Sequence, residues 1–459
     1  MKTWIVLGVV LLSLGIVGTG LYLARQEPVL NEPAVLSDGT TITYLGVTVG
    51  TNHVFGSKWK RYLSQLPGPL AVFGEKMLKT QPGTTTTRTS ATNLVLWFEQ
   101  ESVNGGSGRS GYRHLRLRSK DGRQSGGREY LWLTLAPGQS NRLHSVAFGN
   151  WPRREAWFDC VLLEDSDASG GGVPIAVFDV KNPLRVDTPS WTPEPLLTTR
   201  SAGDLKVTLL DFASGIGRLV DSRYRDNGIR EDIFHMATGQ EEPQALIRVK
   251  LESSRGPEES WRLFDLDLSD SSGNSKKAES RSMMASHNLF SPVLWSDESA
   301  WKMRLHLKRD RGFRPDEMLT FSNVALPAVT MTNAPSITNV VMGVTSRLAR
   351  IIRRKPQTDN RGWNPRSESA VRLEHDDTGE TNQIDLIRIT AQPMNEVLEL
   401  GGSSRADRHH EFFFQSIPTN ATHLDFVFSV QRARFVEFMV SPNWITNEYV
   451  VEVDQNQDR

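Results

Sequence analysis

The chain has 459 residues, with 53 basic and 53 acidic side chains and a formal net charge of zero. This length predicts about two to four domains, because a single core rarely grows beyond ~250–300 residues. A neutral chain lacks the basic footprint of nucleic-acid binding, so we expect no nucleic-acid partner. Cys160 is the only cysteine, which excludes an intramolecular disulfide and a cysteine-based zinc cluster.

The amino terminus carries a long uncharged segment, residues 4–24 (WIVLGVVLLSLGIVGTGLYLA). It is long enough to cross a ~30 Å hydrocarbon layer as a helix. Lys2 precedes it and two acidic residues follow Arg25, so the positive-inside tendency places the amino terminus in the cytoplasm. We predict an uncleaved, single-pass signal anchor in the inner (cytoplasmic) membrane, with the body outside the cytoplasm. The alternatives are a cleaved signal peptide, whose small-x-small exit is missing at residues 22–24, and a buried soluble helix.

Two similar blocks organise the rest of the chain, residues 157–183 and residues 301–327. Both follow an alanine, begin with tryptophan and end with proline. Apolar and basic residues alternate strictly at the start of the second block (WKMRLHLK), which is typical of a strand with one buried face. A shorter third copy covers residues 424–442. We therefore predict that each block is a strand, a loop and a strand that close a repeated β domain, with Trp157 and Trp301 at equivalent positions.

The predicted fold class is all-β: one amino-terminal transmembrane helix followed by three tandem β-sandwich (Ig-like or C2-like) domains. Many short strands separated by Gly, Pro, Asn and Asp favour sandwiches over a βαβ fold. The predicted units are residues 1–25 (transmembrane signal anchor), 26–37 (tether), 38–184 (first sandwich), 185–202 (Pro-rich linker), 203–328 (second sandwich), 329–453 (third, degenerate sandwich) and 454–459 (polar tail).

Residues 337–355 are ambiguous. Their apolar residues fall on one stripe of a helix, but the repeat predicts an opening strand at 343–351 that matches 203–212. We favour the strand, because a repeat overrides local propensity in tandem folds.

The sequence lacks the common motifs of catalytic and nucleotide-binding sites. We find no Gly-x-Ser-x-Gly nucleophile elbow and no Walker or dinucleotide-binding glycine pattern after a strand. The acidic segments 165–170 (DSDASG) and 265–270 (DLDLSD) do not have the spacing of a calcium loop, and a role in turns is the simpler interpretation. We predict no catalytic residue, no cofactor and no metal.

Five tryptophans lie in loops: Trp151, Trp191, Trp295, Trp363 and Trp444. A planar ring in a loop can cover the apolar face of a sugar, or it can plug the end of a core. Trp191 and Trp363 are the candidates for ligand-facing aromatic residues.

A basic cluster is the sharpest local charge feature. Near an anionic surface each such residue gains ~1 kcal/mol, although a solvated face is the simpler interpretation of the cluster. The candidate residues for an anionic-surface patch are Arg347, Arg350, Arg353, Arg354 and Lys355.

The opening strand DGTTITYLGVTVG (residues 38–50) and the strand–loop–strand ends resemble uncharacterised exported, membrane-anchored bacterial proteins with tandem β-sandwich domains. The resemblance covers the whole chain but concerns arrangement alone, and it implies neither an activity nor a site residue. We predict a non-catalytic envelope protein that acts as an interaction or scaffold module, with the membrane and envelope proteins or polysaccharide as partners. The alternatives are a carbohydrate-binding protein of the envelope, and a hydrolase whose paired carboxylates meet between domains.

Overall fold

The structure is a computed structural model. It describes residues 32–55, 85–101, 111–122, 129–133, 141–165, 172–215, 218–221, 244–256, 258–284, 287–291, 294–295, 298–326, 331–352, 369–376, 382–406, 408–415, 417–445 and 448–451. Within these ranges the chain is all-β, with 28 strands and one short 3₁₀ turn, Pro315–Glu317. The predicted all-β class is confirmed. Among the described residues no helix is long and apolar enough to span a membrane, and the predicted anchor, residues 1–25, lies outside them.

The first body consists of two four-stranded sheets around one core. Strands β1 to β8 are Ala34–Val35, Thr41–Phe55, Thr85–Glu101, Gly111–Arg118, Glu129–Leu133, Asn141–Phe148, Trp157–Asp165 and Gly172–Lys181. The sheet orders are β1-β2-β3-β6 and β5-β4-β7-β8. Alternate residues of β3, such as Leu94, Leu96 and Phe98, are fully buried and face the second sheet. Val95 and Trp97, on the opposite face of β3, are also fully buried and pack with Phe55, so both faces of this strand are covered.

A nine-stranded sheet forms the second body. Its strands in chain order are β9 (Thr199–Ala202), β10 (Leu205–Gly215), β12 (Gln244–Ser253), β13 (Ser260–Asp270), β14 (Ser275–Met284), β15 (His287–Ser291), β16 (Trp301–Arg311), β26 (Arg434–Val440) and β27 (Trp444–Ile445). The order is β26-β16-β13-β14-β15-β12-β10-β27, with β9 also on β10. The two edge strands β26 and β27 are separated in the chain by residues 441–443 alone. The sheet therefore curls around a single core, to which seven of its strands contribute.

The third body again places one core between two sheets, β17-β25-β21-β22 and β18-β19-β20-β24-β23. Its strands are β17 (Met318–Ala325), β18 (Met331–Val341), β19 (Val344–Ile352), β20 (Ser369–His375), β21 (Asn382–Gln392), β22 (Glu396–Val397), β23 (Leu400–Ala406), β24 (His409–Phe414) and β25 (His423–Arg432). A small parallel pair, β11 (Arg218–Asp221) and β28 (Glu448–Val451), completes the described strands.

The predicted equivalence of the Trp157 and Trp301 blocks is wrong. Strands β7 and β8 do form a hairpin, with Trp157 opposite Lys181. Strand β16 instead pairs with β13 and β26, whereas β17, the other half of the same block, pairs with β25. Trp157 is 39% exposed and Trp301 is fully buried. Alternation determines which face of a strand is buried, but it does not determine which strand becomes the neighbour.

Two crossovers tie the second and third bodies together. The chain leaves the nine-stranded sheet between β16 and β17 and returns to it between β25 and β26. Strand β17 thus lies before the predicted boundary at residue 328, but it pairs with β25, which lies after that boundary. Strands β26 and β27 lie within the predicted third unit but complete the second sheet. The division into three units stays a prediction.

The ambiguous segment is resolved where the structure describes it. Residues 331–341 and 344–352 are the paired strands β18 and β19, so the preference for a strand over a helix is confirmed. Residues 353–355 lie outside the described ranges.

The predicted linker has no strand over residues 185–198, and its last four residues form β9. Backbone hydrogen bonds attach it to strands at both edges of the curled sheet. The N–H of Glu194 donates to the carbonyl of Met439 (2.7 Å), and the N–H of Leu197 donates to that of Leu209 (2.8 Å).

The seam between β10 and β27 requires a glycine. Gly215 has φ +143°, and a Cβ there would lie 2.1 Å from the carbonyl oxygen of Ile445. We expect Gly215→Ala to lower the thermal unfolding midpoint strongly, because one backbone must move to remove the clash. Gly343→Ala is the matched control: φ is +80° but nothing lies within 4 Å of the added Cβ, so only the backbone strain of ~1–2 kcal/mol applies. Equal losses in the two variants would contradict this account of the seam.

His144 gives the first body a defined response to acid. Its ring is buried beside Gln100, and Nε2 of His144 lies 2.8 Å from Oε1 of Gln100. Burial, and secondarily the charge of Arg142, lowers the pKa of His144 from 6.5 to about 4. Between these values the unfolded chain binds more protons than the folded one, so the free energy of unfolding should fall as the pH falls from ~6.5 to ~4. Urea titrations at about pH 7 and about pH 4.5 should show a smaller loss for His144→Gln than for the wild type. An unchanged loss would exclude His144 as its source.

Candidate functional site

An open cleft of about 320 Å³ lies on the outer face of the nine-stranded sheet. We call it the outer cleft. Its volume is within the ~300–1,000 Å³ range of small-molecule sites. It is lined by Asp267, Leu268, Ser269, Ser275, Lys276, Lys277, Lys302, Arg304 and Glu437.

Strand alternation puts the polar side chains there. In β16 the side chains of Met303 and Leu305 are fully buried in the core, so those of Lys302 and Arg304 point to the other face. Asp267 and Ser269 of β13 face outward for the same reason. Arg304 stands opposite Asp267 on one side and opposite Glu437 of β26 on the other. The cleft therefore spans β14, β13, β16 and β26.

The outer cleft is locally basic in a chain of zero net charge. Three of its outward side chains, Lys277, Lys302 and Arg304, are cationic and two are carboxylates, whereas Lys276 stands opposite the core residue Leu268 and points to the other face. One carboxylate is already engaged, because Asp267 Oδ2 lies 2.6 Å from Nε2 of His306. Lys277 also has a partner, with 3.0 Å between its Nζ and Oδ2 of Asp265. Burial raises the pKa of Glu129 in the first body, and the charge of Lys276 opposes that rise.

Lys302 and Arg304 contact aromatic rings. The guanidinium carbon of Arg304 lies 4.1 Å from the centroid of Phe435, and Nζ of Lys302 lies 5.7 Å from the centroid of Trp191. Within the described ranges neither has a carboxylate within 4.0 Å. A ring contact contributes roughly 0.5–1 kcal/mol at an exposed site and leaves the positive charge in place. These two cations are thus oriented and able to bind an anion.

The predicted residue Trp191 does not line the outer cleft, but it lies beside Lys302, which does. The indole is half-buried beside Lys302, and the Trp191 carbonyl accepts a hydrogen bond of 2.7 Å from the hydroxyl of Ser299. The other candidate, Trp363, lies outside the described residues.

Two of the loop tryptophans plug cores. Trp151 and Trp295 are 0% and 1% exposed, and both belong to the core of the first body. Trp295 reaches that core from the chain segment between β15 and β16.

The predicted basic patch is only partly described, and its described members lie away from the outer cleft. Arg347 of β19 forms an ion pair with Glu374 of β20. Arg350 is half-buried and stands opposite Arg372. Arg353, Arg354 and Lys355 lie outside the described residues, so a role at an anionic surface stays a prediction.

The acidic segment 265–270 does not gather its carboxylates. Asp265 and Asp267 contact Lys277 and His306, whereas Asp270 accepts hydrogen bonds from Ser272 and Asn274 in the turn after β13. Burial raises the pKa of Asp270 although these hydrogen bonds oppose the rise. In the part of the chain that the structure describes, no group of three or more His, Cys, Asp or Glu side chains could hold a metal ion.

Sequence reasoning did not single out Lys277, Lys302 or Arg304 as site residues. The available signal was the basic side of the alternating segment 301–308. That pattern alone could not indicate a cleft, because the sequence does not show that β14 and β26 belong to the same sheet as β16.

The chain matches no model of a known protein family and has no significant match to a curated protein. The fold and the cleft define an all-β protein that presents a basic cleft on the outer face of a curled sheet.

The cations of the outer cleft should be dispensable for stability. We expect Lys302→Met and Arg304→Met to change the free energy of unfolding by less than ~1 kcal/mol each, as is usual for surface charges. Glu317→Gln provides the contrast. Both Glu317 and its partner Arg309 are buried, and breaking such a pair costs about 3–5 kcal/mol. A loss of that size from either cleft variant in urea titrations would mean that the cleft residues are structural.

Proposed function

We propose that this protein is a non-catalytic binding protein of the bacterial cell envelope, with the outer cleft as its contact surface. In this proposal residues 1–25 anchor the chain in the inner membrane, and three tandem β-sandwich units stand outside the cytoplasm. The observation that supports it best is the pair of cations, Lys302 and Arg304, held on aromatic rings at an open surface. Ordered charges that are not neutralised within the described chain favour contact with another molecule.

The short distance in the chain between the predicted anchor and the first sheet supports this proposal. Strand β1 begins at Ala34 and pairs with β2, and Ala34 and Leu36 are buried in the first core. If the anchor ends at residue 25, eight residues separate it from the first sheet, and they span at most roughly 25–30 Å. The binding surface would then be held close to the outer side of the inner membrane.

One observation favours a second candidate function, carbohydrate binding. The half-buried indole of Trp191 lies beside Lys302, which lines the outer cleft. An aromatic ring next to polar groups is the arrangement that was predicted for a sugar platform. The third hypothesis, a hydrolase with an active site between domains, stays a prediction.

Photo-crosslinking in the producing cells tests the proposed function. We place a benzophenone amino acid at the exposed position 437 of the full chain and isolate the membranes after irradiation. We expect the chain in the membrane fraction and an adduct at position 437, because this residue lines the outer cleft. The matched control is position 206, an exposed lysine on β10 of the same sheet. Equal adducts at both positions, or none at position 437, would contradict a binding role for the cleft.

A further inference from the structure

We propose that the outer cleft binds an acidic polysaccharide, with Lys302 and Arg304 holding carboxylate groups and Trp191 stacking on a sugar ring. This inference rests on the proposed function, since it names the ligand class of the same surface.

The charge of the cleft selects an anion. Three outward cations, Lys277, Lys302 and Arg304, stand beside two carboxylates along the lining. Asp267 is held by His306 and Lys277 by Asp265, so the positive charge is concentrated at Lys302 and Arg304. The planar guanidinium of Arg304 matches a carboxylate in a two-point contact. Its contact with Phe435 restricts the position of the guanidinium before a ligand arrives.

The polar but uncharged groups suit sugar hydroxyls. Ser269 of β13 and Ser275 of β14 stand directly opposite each other in the register and both line the cleft. A hydroxyl can donate and accept, which matches the dual character of a sugar hydroxyl. Glu437 is exposed at the other end of the cleft and adds a hydrogen-bond acceptor. A ligand that carries both hydroxyl and carboxylate groups would therefore use the whole lining.

The indole distinguishes a sugar from other polyanions. An acidic peptide or a phospholipid headgroup needs cations alone, whereas the half-buried ring of Trp191 adds an aromatic contact next to Lys302. The cleft crosses four strands at ~4.8 Å spacing, which gives a width of about 15 Å. That width, open to solvent, accommodates consecutive units of a chain. The combination favours a polymer of acidic sugars.

The test measures binding of an oligogalacturonate to the full chain in detergent micelles by isothermal titration calorimetry. The matched probe is the methyl ester of the same oligomer, which keeps the sugar rings and removes the charges. We expect the ester to bind at least tenfold more weakly than the acid. Affinity for the acid should also fall when the salt concentration rises, because exposed charges are screened.

Variants separate the two kinds of contact. We expect the double variant K302M/R304M and the single variant Trp191→Ala each to weaken binding of the oligogalacturonate at least tenfold. Lys206→Met, an exposed lysine on β10 away from the cleft, should leave the affinity unchanged. Thermal unfolding of each variant checks that the fold is retained.

Polyaspartate and phosphatidylglycerol vesicles identify the competing ligand classes. Binding of either one as tight as that of the oligogalacturonate, or an unchanged affinity in Trp191→Ala, would overturn the inference. Equal binding of the ester would overturn it as well. If the oligogalacturonate does not bind but position 437 still forms its specific adduct in cells, the ligand class is wrong and the binding surface stands. If both fail, the proposed function fails with the inference.

Discussion

The buried ion pair between Arg309 and Glu317 fixes the point at which the chain leaves one sheet for another. Its two hydrogen bonds measure 2.8 and 3.1 Å, and both side chains are almost fully buried. Burial alone would raise the pKa of Glu317, but the Arg314 N–H, the charge of Arg309 and further hydrogen bonds hold it below its ordinary value. The side chain of Gln431 in β25 binds the backbone at the same place. It accepts a hydrogen bond from the N–H of Arg309 (3.0 Å) and donates one to the carbonyl of Arg309 (2.9 Å). The two crossovers are thus locked to each other.

The outer cleft depends on these crossovers. Glu437 lines the cleft and Phe435 orients Arg304, yet both belong to β26, which follows the last strand of the third body. If β26 did not return to β16, the cleft would lose one wall and Arg304 would lose its ring. Lys308 strengthens the same junction by an ion pair with Asp385 of β21. The third body therefore helps to position the walls of the cleft, although none of its own strands lines the cleft.

The first body is joined to the nine-stranded sheet through the turn between β13 and β14. The side chain of Asn274 bonds to both the N–H and the carbonyl of Trp151, at 3.2 and 3.1 Å. The Arg153 guanidinium lies 3.6 Å from the Trp151 ring. Burial lowers the pKa of Arg153, and the charge of Asp270 opposes that shift. Because Ser275 and Lys277 follow directly after this turn, the junction that fixes the first body also fixes one wall of the cleft.

The sequence by itself determined the all-β class, the strand at 344–352 and the side of each alternating strand that is buried, since these depend on local periodicity. The choice of Trp191 as a ligand-facing residue stays a prediction. The tertiary structure decided the strand partners, and with them the failure of the Trp157 and Trp301 equivalence. Backbone hydrogen bonding is nearly the same for any strand pair, so a repeated pattern does not show whether a strand turns back or crosses to another sheet. The outer cleft combines residues near positions 268, 276, 303 and 437, and only the completed sheet brings them together.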